Sequence, residues 1–160
     1  MKLHNCELHY PRTVDKKEFY FFTANAFVRK DGALAMGKGA AKSVLHQHPG
    51  IDQRFGRLIT AVRDEDSSKP EFATYLLIWL NDYRIGAFQV KYDFQRMAYP
   101  DLIEQSARRL KWYAEAWPDV TIRMNYPGVG LKTGGLPFEM VEHILDEVEL
   151  PDNVHLYYKP

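Results

Sequence analysis

Residues 20–44 read YFFTANAFVRKDGALAMGKGAAKSV, and residues 120–145 read VTIRMNYPGVGLKTGGLPFEMVEHIL. In both stretches an apolar run typical of a buried strand is followed by a glycine-bearing loop and then by a helical pattern. Helix N-termini leave backbone N–H groups unpaired and carry partial positive charge, and glycines let a ligand approach the backbone closely. Two such loops together suit a diphosphate, whereas either one alone is equally typical of an ordinary strand-to-helix connection.

Apolar runs alternate with helical patterns along the whole chain, and no sequence period repeats. This alternation favours an α/β sheet with helices on both faces, and the length of 160 residues fits one domain over residues 1–160. Residues 62–71 are polar and predict a surface loop. Strands are predicted at residues 2–8, 19–24, 74–80, 84–91, 120–125 and 154–158, and helices at residues 39–48, 52–61, 99–117 and 138–148.

Composition indicates which partners and compartments to expect. Acidic and basic residues number 21 each, so net charge points neither to nucleic acid nor to an anionic membrane. A single cysteine, Cys6, excludes an internal disulfide framework and favours a reduced, cytoplasmic setting. The longest apolar run, residues 72–80, is too short to span a bilayer and predicts a buried strand. We therefore expect a monomeric cytoplasmic protein without a membrane segment.

Two further patterns argue against nucleotide hydrolysis and metal binding. Residues 32–39 read GALAMGKG, which fits G-x-x-x-x-G-K but places Gly39 where a P-loop needs a Ser or Thr hydroxyl on magnesium. His46 and His48 are two residues apart on a predicted helix end, so they do not share a face, and no Cys or carboxylate completes a ligand set. We predict no metal and no cofactor. The other histidines are expected to be isolated, and Trp79, Trp112 and Trp117 to lie in the core.

Three short motifs resemble the macrodomain family, an ADP-ribose-binding α/β/α module. Asn25 followed by MGKGAA at residues 36–41 is similar to that family's first loop, and is most similar to the branch containing the DNA-de-ADP-ribosylating antitoxin DarG. PGVGLKTGGLPF at residues 127–138 resembles its second loop. FQVK at residues 88–91 resembles the strand end, commonly F-x-T-K, that carries a catalytic lysine in that branch. The resemblance covers roughly residues 19–158 and implies a three-layer fold with a central mixed sheet.

The resemblance also implies which residues would contact ADP-ribose. The implied contacts are Asn25, Met36, Gly37, Lys38, Gly39, Ala40, Gly128, Val129, Gly130, Leu131, Lys132, Thr133, Gly134 and Gly135. Lys38 would lie beside the distal ribose. A side chain at Gly130 or Gly135 is expected to fill the diphosphate space and to weaken binding more than folding. Asn is also a common turn former, which leaves a purely structural role open for Asn25.

Lys91 is the implied catalytic residue, acting on the anomeric carbon of the distal ribose. A lysine at a strand end after the apolar Phe88 and Val90 would be partly desolvated, which lowers its pKa and frees the amine as a nucleophile or base. The alternative is an ordinary solvated lysine near Asp93. In the related terminal ADP-ribose protein glycohydrolase an aspartate of the second loop assists, and Gly134 occupies that place here.

Other positions depart from the family pattern. The polar residue that usually contacts adenine is not recognisable, and Asn5 or Glu7 lies at about the right distance along the chain. Phe22 replaces an asparagine common in the DarG-like branch, and Lys132 a glycine. The aromatic side chains expected at the carboxyl edge of the sheet, where they would stack on adenine or ribose, are Tyr126, Tyr157 and Tyr158.

Three function classes follow from this resemblance. The first is a hydrolase that removes ADP-ribose from modified DNA or protein. The second is a non-catalytic reader or scavenger of ADP-ribose, which needs the two loops but not the lysine. The third is a small-metabolite enzyme such as an ADP-ribose 1″-phosphate phosphatase. The fold alone does not choose among them.

Overall fold

The computed structural model describes residues 1–65, 72–130 and 134–160. Within these residues there are six strands and four helices, interspersed along the chain, and no helix is both long and apolar enough to cross a membrane. They are β1 (Lys2–His4), β2 (Glu18–Ala24), α1 (Gly39–Gln47), α2 (Ile51–Glu65), β3 (Leu77–Leu80), β4 (Ile85–Gln89), α3 (Pro100–Ala116), β5 (Thr121–Asn125), α4 (Phe138–Val148) and β6 (Val154–Tyr157).

The strands form one mixed sheet in the order β1-β6-β5-β2-β4-β3. All neighbours are parallel except the pair of β3 and β4, which is antiparallel. Strand β2 lies between β4 and β5, and the chain passes from one side of β2 to the other through α3. Ligands of parallel sheets bind beyond the carboxyl ends of the strands where the strand order reverses, so this topology directs attention to the ends of β2, β4 and β5.

Helices cover both faces of the sheet, as the alternation in the sequence predicts. Successive side chains of a strand point to opposite faces, so Phe21 and Phe22 of β2 enter different cores. Phe21 joins the cluster under α3 and α4, and Phe22 joins the cluster under α1 and α2. The Phe22 ring is fully buried and meets Phe55 edge-on at a centroid distance of 5.3 Å. The phenylalanine that replaces the expected asparagine is therefore a core residue.

Three predicted element boundaries are wrong for local reasons. Strand β1 ends at His4 rather than residue 8, and the chain then returns to the sheet at Tyr10, whose hydroxyl donates to the Phe21 carbonyl at 2.8 Å. Strand β3 begins at Leu77 rather than residue 74 because Leu76 has a φ of 62°, in the left-handed region. Helix α2 continues to Glu65 into the predicted loop of residues 62–71, whose remainder lies outside the described residues.

The tryptophans differ from the predicted core positions. Trp79 is half-buried and packs on Tyr113 with ring centroids 5.0 Å apart. Trp112 and Trp117 are 68% and 56% exposed. The buried stripe of α3 is filled by other residues, Leu110 and Tyr113 among them, so the helical spacing turns Trp112 outward.

Two histidines that the sequence analysis treats as isolated meet at the β1–β6 edge of the sheet. His4 and His155 share a hydrogen bond of 2.9 Å between Nε2 and Nδ1, and their rings stack. The His4 ring also stacks on Tyr157, whose hydroxyl accepts a hydrogen bond from Arg123. Strand pairing across β1 and β6 creates this cluster, which sequence separation conceals.

Candidate functional site

Three strand ends meet at the carboxyl edge of the sheet. Strands β2, β4 and β5 end at Ala24, Gln89 and Asn125. Beyond the strands, the backbone N–H of Val90 donates to the Ala24 carbonyl at 3.0 Å, and the N–H of Ala26 donates to the Tyr92 carbonyl at 3.0 Å. These bonds hold the residues after β2 beside the residues after β4, which brings the first glycine loop to the strand end that carries Lys91.

Asn25 organises the first loop. Its Oδ1 accepts from the backbone N–H of Phe27 at 2.8 Å, and its Nδ2 donates to the Ala35 carbonyl at 3.1 Å. The Tyr75 hydroxyl donates to the Asn25 carbonyl at 2.7 Å, and the residue is only 6% exposed. The structural role that the sequence analysis left open is therefore present. An amide nitrogen has a second hydrogen, so ligand contact by Asn25 stays a prediction.

The rest of the first loop presents backbone to solvent at the start of α1. Met36 is buried and anchors the loop, while Gly37, Lys38 and Gly39 are exposed. Lys38 is the residue before α1, and no side chain caps the helix there. A Cβ at Gly37 would meet no heavy atom within 4 Å. An uncapped helix N-terminus next to open space suits an anionic group.

The two ends of the second loop, residues 128–130 and residues 135–136, are hydrogen-bonded to each other. The N–H of Gly135 donates to the Gly130 carbonyl at 2.9 Å, and the N–H of Leu136 donates to the Gly128 carbonyl at 2.6 Å. A Cβ on Gly135 would lie 2.5 Å from the Gly130 nitrogen and from the Val129 carbonyl carbon. The space beside Gly135 therefore holds the loop's own backbone rather than a ligand, which corrects the predicted reason for this glycine. The predicted contacts Leu131, Lys132 and Thr133 lie outside the described residues.

Gly128 and Gly134 of this loop are also constrained by contacts within the protein. Gly128 and Gly134 both have φ of 75°, a conformation that favours glycine. A Cβ on Gly128 would lie 2.4 Å from the Cδ1 of Ile103 in α3, and the Gly134 carbonyl accepts from the N–H of Ala98 at 2.9 Å. Helix α4 follows the loop, and its N-terminus has no side-chain cap. The loop ends, like the first one, on an uncapped helix start.

Lys91 follows β4 at this edge and is buried, with 9% of its surface exposed. Burial lowers the pKa of its amine, the positive charge of Lys38 lowers it further, and the carboxylate of Asp93 opposes both effects. The alternative of an ordinary solvated lysine is therefore wrong. Lys38 of the first loop and Lys91 after β4 lie within electrostatic reach of each other, and the carboxylate of Asp93 also acts on the Lys91 amine.

Gln89 is a residue of the site that the sequence analysis missed. It is fully buried, and its Oε1 accepts from the backbone N–H groups of Tyr75 and Leu76 at 2.9 and 3.0 Å. Its Nε2 donates to the Ala73 carbonyl at 3.0 Å, and Ser106 of α3 donates to its carbonyl at 2.8 Å. The sequence feature that could have indicated this role is a side-chain amide between two apolar residues of a strand predicted to be buried, because a buried polar group needs hydrogen-bond partners within the protein.

The segment of residues 92–99, which we call the strap, joins the two loops. At one end the Phe94 ring meets the Phe27 ring of the first loop edge-on at a centroid distance of 5.1 Å. At the other end Ala98 donates to Gly134 of the second loop. The strap leaves large apolar side chains in solvent, with Met97 59% and Tyr99 43% exposed. Nothing in the motif pattern indicated this connection.

Two tyrosines predicted to stack on a ligand stack instead within the protein. Tyr126 is 4% exposed and its ring lies on Phe138 at 4.6 Å, and Tyr157 is stacked on His4.

Of the two residues considered for contact with adenine, Asn5 is exposed, and Glu7 lines a cleft of about 310 Å³ between the N-terminal segment and α1. The residues that the structure describes contain no group of His, Cys, Asp or Glu side chains suited to a metal ion.

Comparison with solved structures identifies the fold. The chain is similar to the macrodomain of Thermus aquaticus DarG, with a TM-score of 0.65 and 20% identity over 99% of this chain and 97% of that one. The macrodomain of Mycobacterium tuberculosis DarG gives the same values. Thermosipho africanus DarTG in complex with ADP-ribose matches with a TM-score of 0.64 and 18% identity, over 98% of this chain and 40% of that one.

No protein-family model matches the chain, and no curated protein matches it in sequence. The match to solved macrodomains over nearly the whole chain shows that the chain has the macrodomain fold. The three-layer α/β/α architecture with a mixed sheet is confirmed.

Proposed function

We propose that this protein binds ADP-ribose across the carboxyl ends of β2, β4 and β5, and that it releases ADP-ribose from modified DNA or protein. The observation that carries the proposal is the buried amine of Lys91 at the carboxyl edge of the sheet. The pKa of this amine is lowered by burial and by the positive charge of Lys38. Support comes from the DarG macrodomains that share the fold, and from the neighbour solved with ADP-ribose.

The diphosphate of ADP-ribose fits the electrostatics of this edge. The N-termini of α1 and α4 both lack a side-chain cap, and each follows one of the loops. Unpaired N–H groups and the partial positive charge of a helix start stabilise phosphate oxygens. Lys38 adds a full positive charge at the start of α1, and Gly37 leaves open space for close approach to the backbone.

The lowered pKa of Lys91 suits it to the bond-breaking step. The bond between the anomeric carbon and the attached base or carboxylate breaks, its electron pair leaves with that group, and water supplies the new oxygen. A neutral amine can accept the proton from the attacking water or add to the anomeric carbon itself. Burial increases the neutral fraction of the amine at a given pH above that of a solvated lysine.

A pair of lysine variants separates binding from turnover. Lys91→Ala is expected to keep ADP-ribose affinity within a few-fold by calorimetry and to lower release from ADP-ribosylated DNA and protein by orders of magnitude, since the amine acts mainly in the transition state. Lys16→Ala is the matched control, because Lys16 is exposed and precedes β2 at the opposite edge of the sheet. It should leave both measurements unchanged.

Two outcomes would contradict the proposal. A folded protein that gives neither heat nor a thermal shift with millimolar ADP-ribose does not bind it. A protein that binds ADP-ribose and releases none from either modified substrate is a non-catalytic reader, the second candidate. Gly134 favours that candidate, because it leaves the second loop without a carboxylate at the position where a related glycohydrolase has an aspartate.

A further inference from the structure

The segment of residues 73–76, which we call the bracket, precedes β3 and is held by one side chain of β4. The Oε1 of Gln89 accepts hydrogen bonds from two backbone N–H groups of the bracket, at 2.9 and 3.0 Å. Its Nε2 donates to the Ala73 carbonyl at 3.0 Å and lies 3.4 Å from the Lys91 carbonyl oxygen. A side-chain amide can accept two hydrogen bonds and donate two, so Gln89 uses its full capacity between the bracket and Lys91.

The backbone of the bracket is strained. Leu76 has a φ of 62°, and the N–H of Leu77 donates to the Tyr75 carbonyl at 2.7 Å, two residues back along the chain. This pattern is a γ-turn with positive φ, a rare and strained form. Such conformations persist only where the surrounding structure determines them, and they cluster at functional sites. Here the determining group is the Gln89 amide, which accepts from Leu76 itself.

The bracket also contacts the first loop. The Tyr75 hydroxyl donates to the Asn25 carbonyl at 2.7 Å, and Tyr75 is only 7% exposed. Asn25 holds the loop in turn, because its amide bonds the Phe27 N–H and the Ala35 carbonyl. Burial raises the pKa of Tyr75, so its hydroxyl stays protonated and acts as a donor. Tyr75 thus joins the residue after β2 to the bracket that β4 holds.

We propose that Gln89 and Tyr75 are positioning residues for the release of ADP-ribose, and that the bracket between them sets the separation of Asn25 and Lys91. The inference rests on the proposed function, because it gives this separation a role in the reaction at the carboxyl edge of the sheet. Both side chains are buried, so they act through the residues that they hold rather than by touching the substrate.

The separation matters for turnover more than for affinity. A ligand bound by the first loop has its reacting atom at a position that the loop determines, whereas the amine of Lys91 is placed by the end of β4. Misplacement of a catalytic group by about 1 Å can lower the rate about a hundredfold, and hydrogen bonds behind the site prevent it. A rigid link between the two elements therefore increases kcat and leaves the affinity for free ADP-ribose nearly unchanged.

Tyr75→Phe tests the bracket by removing a single hydroxyl. We expect kcat for release from ADP-ribosylated DNA or protein to fall about tenfold or more, with KM and ADP-ribose affinity within about threefold of the parent. The midpoint of the pH–rate profile should not move, because the hydroxyl is uncharged. The variant should fold, because the Val90 N–H still donates to the Ala24 carbonyl between the same strand ends.

Tyr10→Phe is the matched control. Tyr10 is 5% exposed, and its hydroxyl also donates to a carbonyl of β2, that of Phe21, at 2.8 Å. This carbonyl lies within the strand, four residues before Asn25, and does not set the position of the first loop. Tyr10→Phe should lower the melting temperature at least as much as Tyr75→Phe and leave kcat unchanged. A parental kcat in Tyr75→Phe, equal losses of kcat in the two variants, or a loss confined to KM would overturn the inference.

Gln89→Glu tests the other end of the bracket. A carboxylate still accepts from the two N–H groups, but it cannot donate to the Ala73 and Lys91 carbonyls. Its kcat should also fall, and the double variant with Tyr75→Phe should lose less than the product of the two single losses, because both changes break one link. Losses that multiply would show that the two residues act independently. If Gln89→Glu does not fold, Tyr75→Phe decides the inference on its own.

Hydrogen exchange tests the same link without turnover. Tyr75→Phe should speed exchange of the Phe27 N–H, which the Asn25 side chain holds, and Tyr10→Phe should not. Equal exchange in the parent and Tyr75→Phe would overturn the inference whether or not the protein is an enzyme. A parent that releases no ADP-ribose from either modified substrate removes the proposed function and the positioning role with it. A parent that releases ADP-ribose, with no change in Tyr75→Phe, removes only the positioning role.

Discussion

At the scale of single residues, the site depends on the charges around one buried amine. Lys38 and Asp93 act on Lys91 with opposite sign, and burial acts in the same direction as Lys38. The pKa of a catalytic amine decides the pH at which it is neutral, so each neighbour shifts the pH range of activity in a direction that its charge determines.

We expect release of ADP-ribose to rise with pH as Lys91 loses its proton, with a midpoint below the ordinary lysine value. Lys38→Gln should move the midpoint to higher pH, because a cation that disfavours the protonated amine is removed. Asp93→Asn should move it to lower pH, because an anion that favours the protonated amine is removed. Shifts of the two midpoints in the same direction would exclude Lys91 as the titrating group.

Glycines of the two loops should respond differently to substitution. Gly37→Val should leave the melting temperature nearly unchanged and weaken ADP-ribose binding about tenfold or more, because its side chain would enter open space at the start of α1. Gly135→Ala should destabilise the fold by about 1–3 kcal/mol, because its Cβ would meet the backbone of Gly130 and Val129. Melting curves measure the change in stability and calorimetry measures the change in ADP-ribose affinity, on the same preparations. Normal ADP-ribose affinity in the Gly37→Val variant would show that the ligand binds elsewhere.

At the scale of elements, the β1–β6 edge is held in part by two histidines. Burial lowers the pKa of His155, and the charges of Arg123, His4, Lys2 and the N-terminus lower it further. Because the folded value is below the unfolded one, the unfolded chain binds more protons as the pH falls, and folding stability decreases. This contribution is complete above the ordinary histidine pKa of about 6.5 and is lost as the pH falls from there toward the folded value.

Urea unfolding across this pH range tests the edge. The parent should lose more stability than His155→Gln when the pH is lowered from about 7 to about 5, since the variant lacks the titrating ring. The difference between the two proteins, rather than the slope of either one, carries the information because carboxylates also titrate in acid. Parallel curves would show that the titration of His155 does not contribute to the pH dependence of stability.

At the scale of the whole molecule, the layers could be predicted from the sequence and several boundaries could not. Alternating apolar and helical patterns depend on local spacing, and they predicted four helices and the central strands correctly. The start of β3 depends on Leu76, whose conformation is fixed by the side chain of Gln89 from a neighbouring strand. A partner thirteen residues away in sequence leaves no periodic signal.

The same distinction applies to the site. The glycine loops and Lys91 could be predicted as site residues because each lies in a short continuous motif. The hydrogen bonds of Gln89 and the contacts of the strap follow from packing between segments that are distant in sequence, which no motif encodes. The exposure of Trp112 follows instead from helical spacing within α3. The tight backbone contact at Gly135 belongs to the same class, because its reason is the turn of the loop onto Gly130 rather than a ligand.

The strap has a consequence for how a ligand enters and leaves. Residues 92–99 contact the first loop through Phe94 and the second loop through Ala98, so the strap links the two walls. We therefore expect the two walls to open together, so that ADP-ribose association follows a single exponential in stopped-flow mixing. Phe94→Ala should break this mechanical linkage and produce two kinetic phases, one for each loop, and a single phase in that variant would show that the walls move independently of the strap.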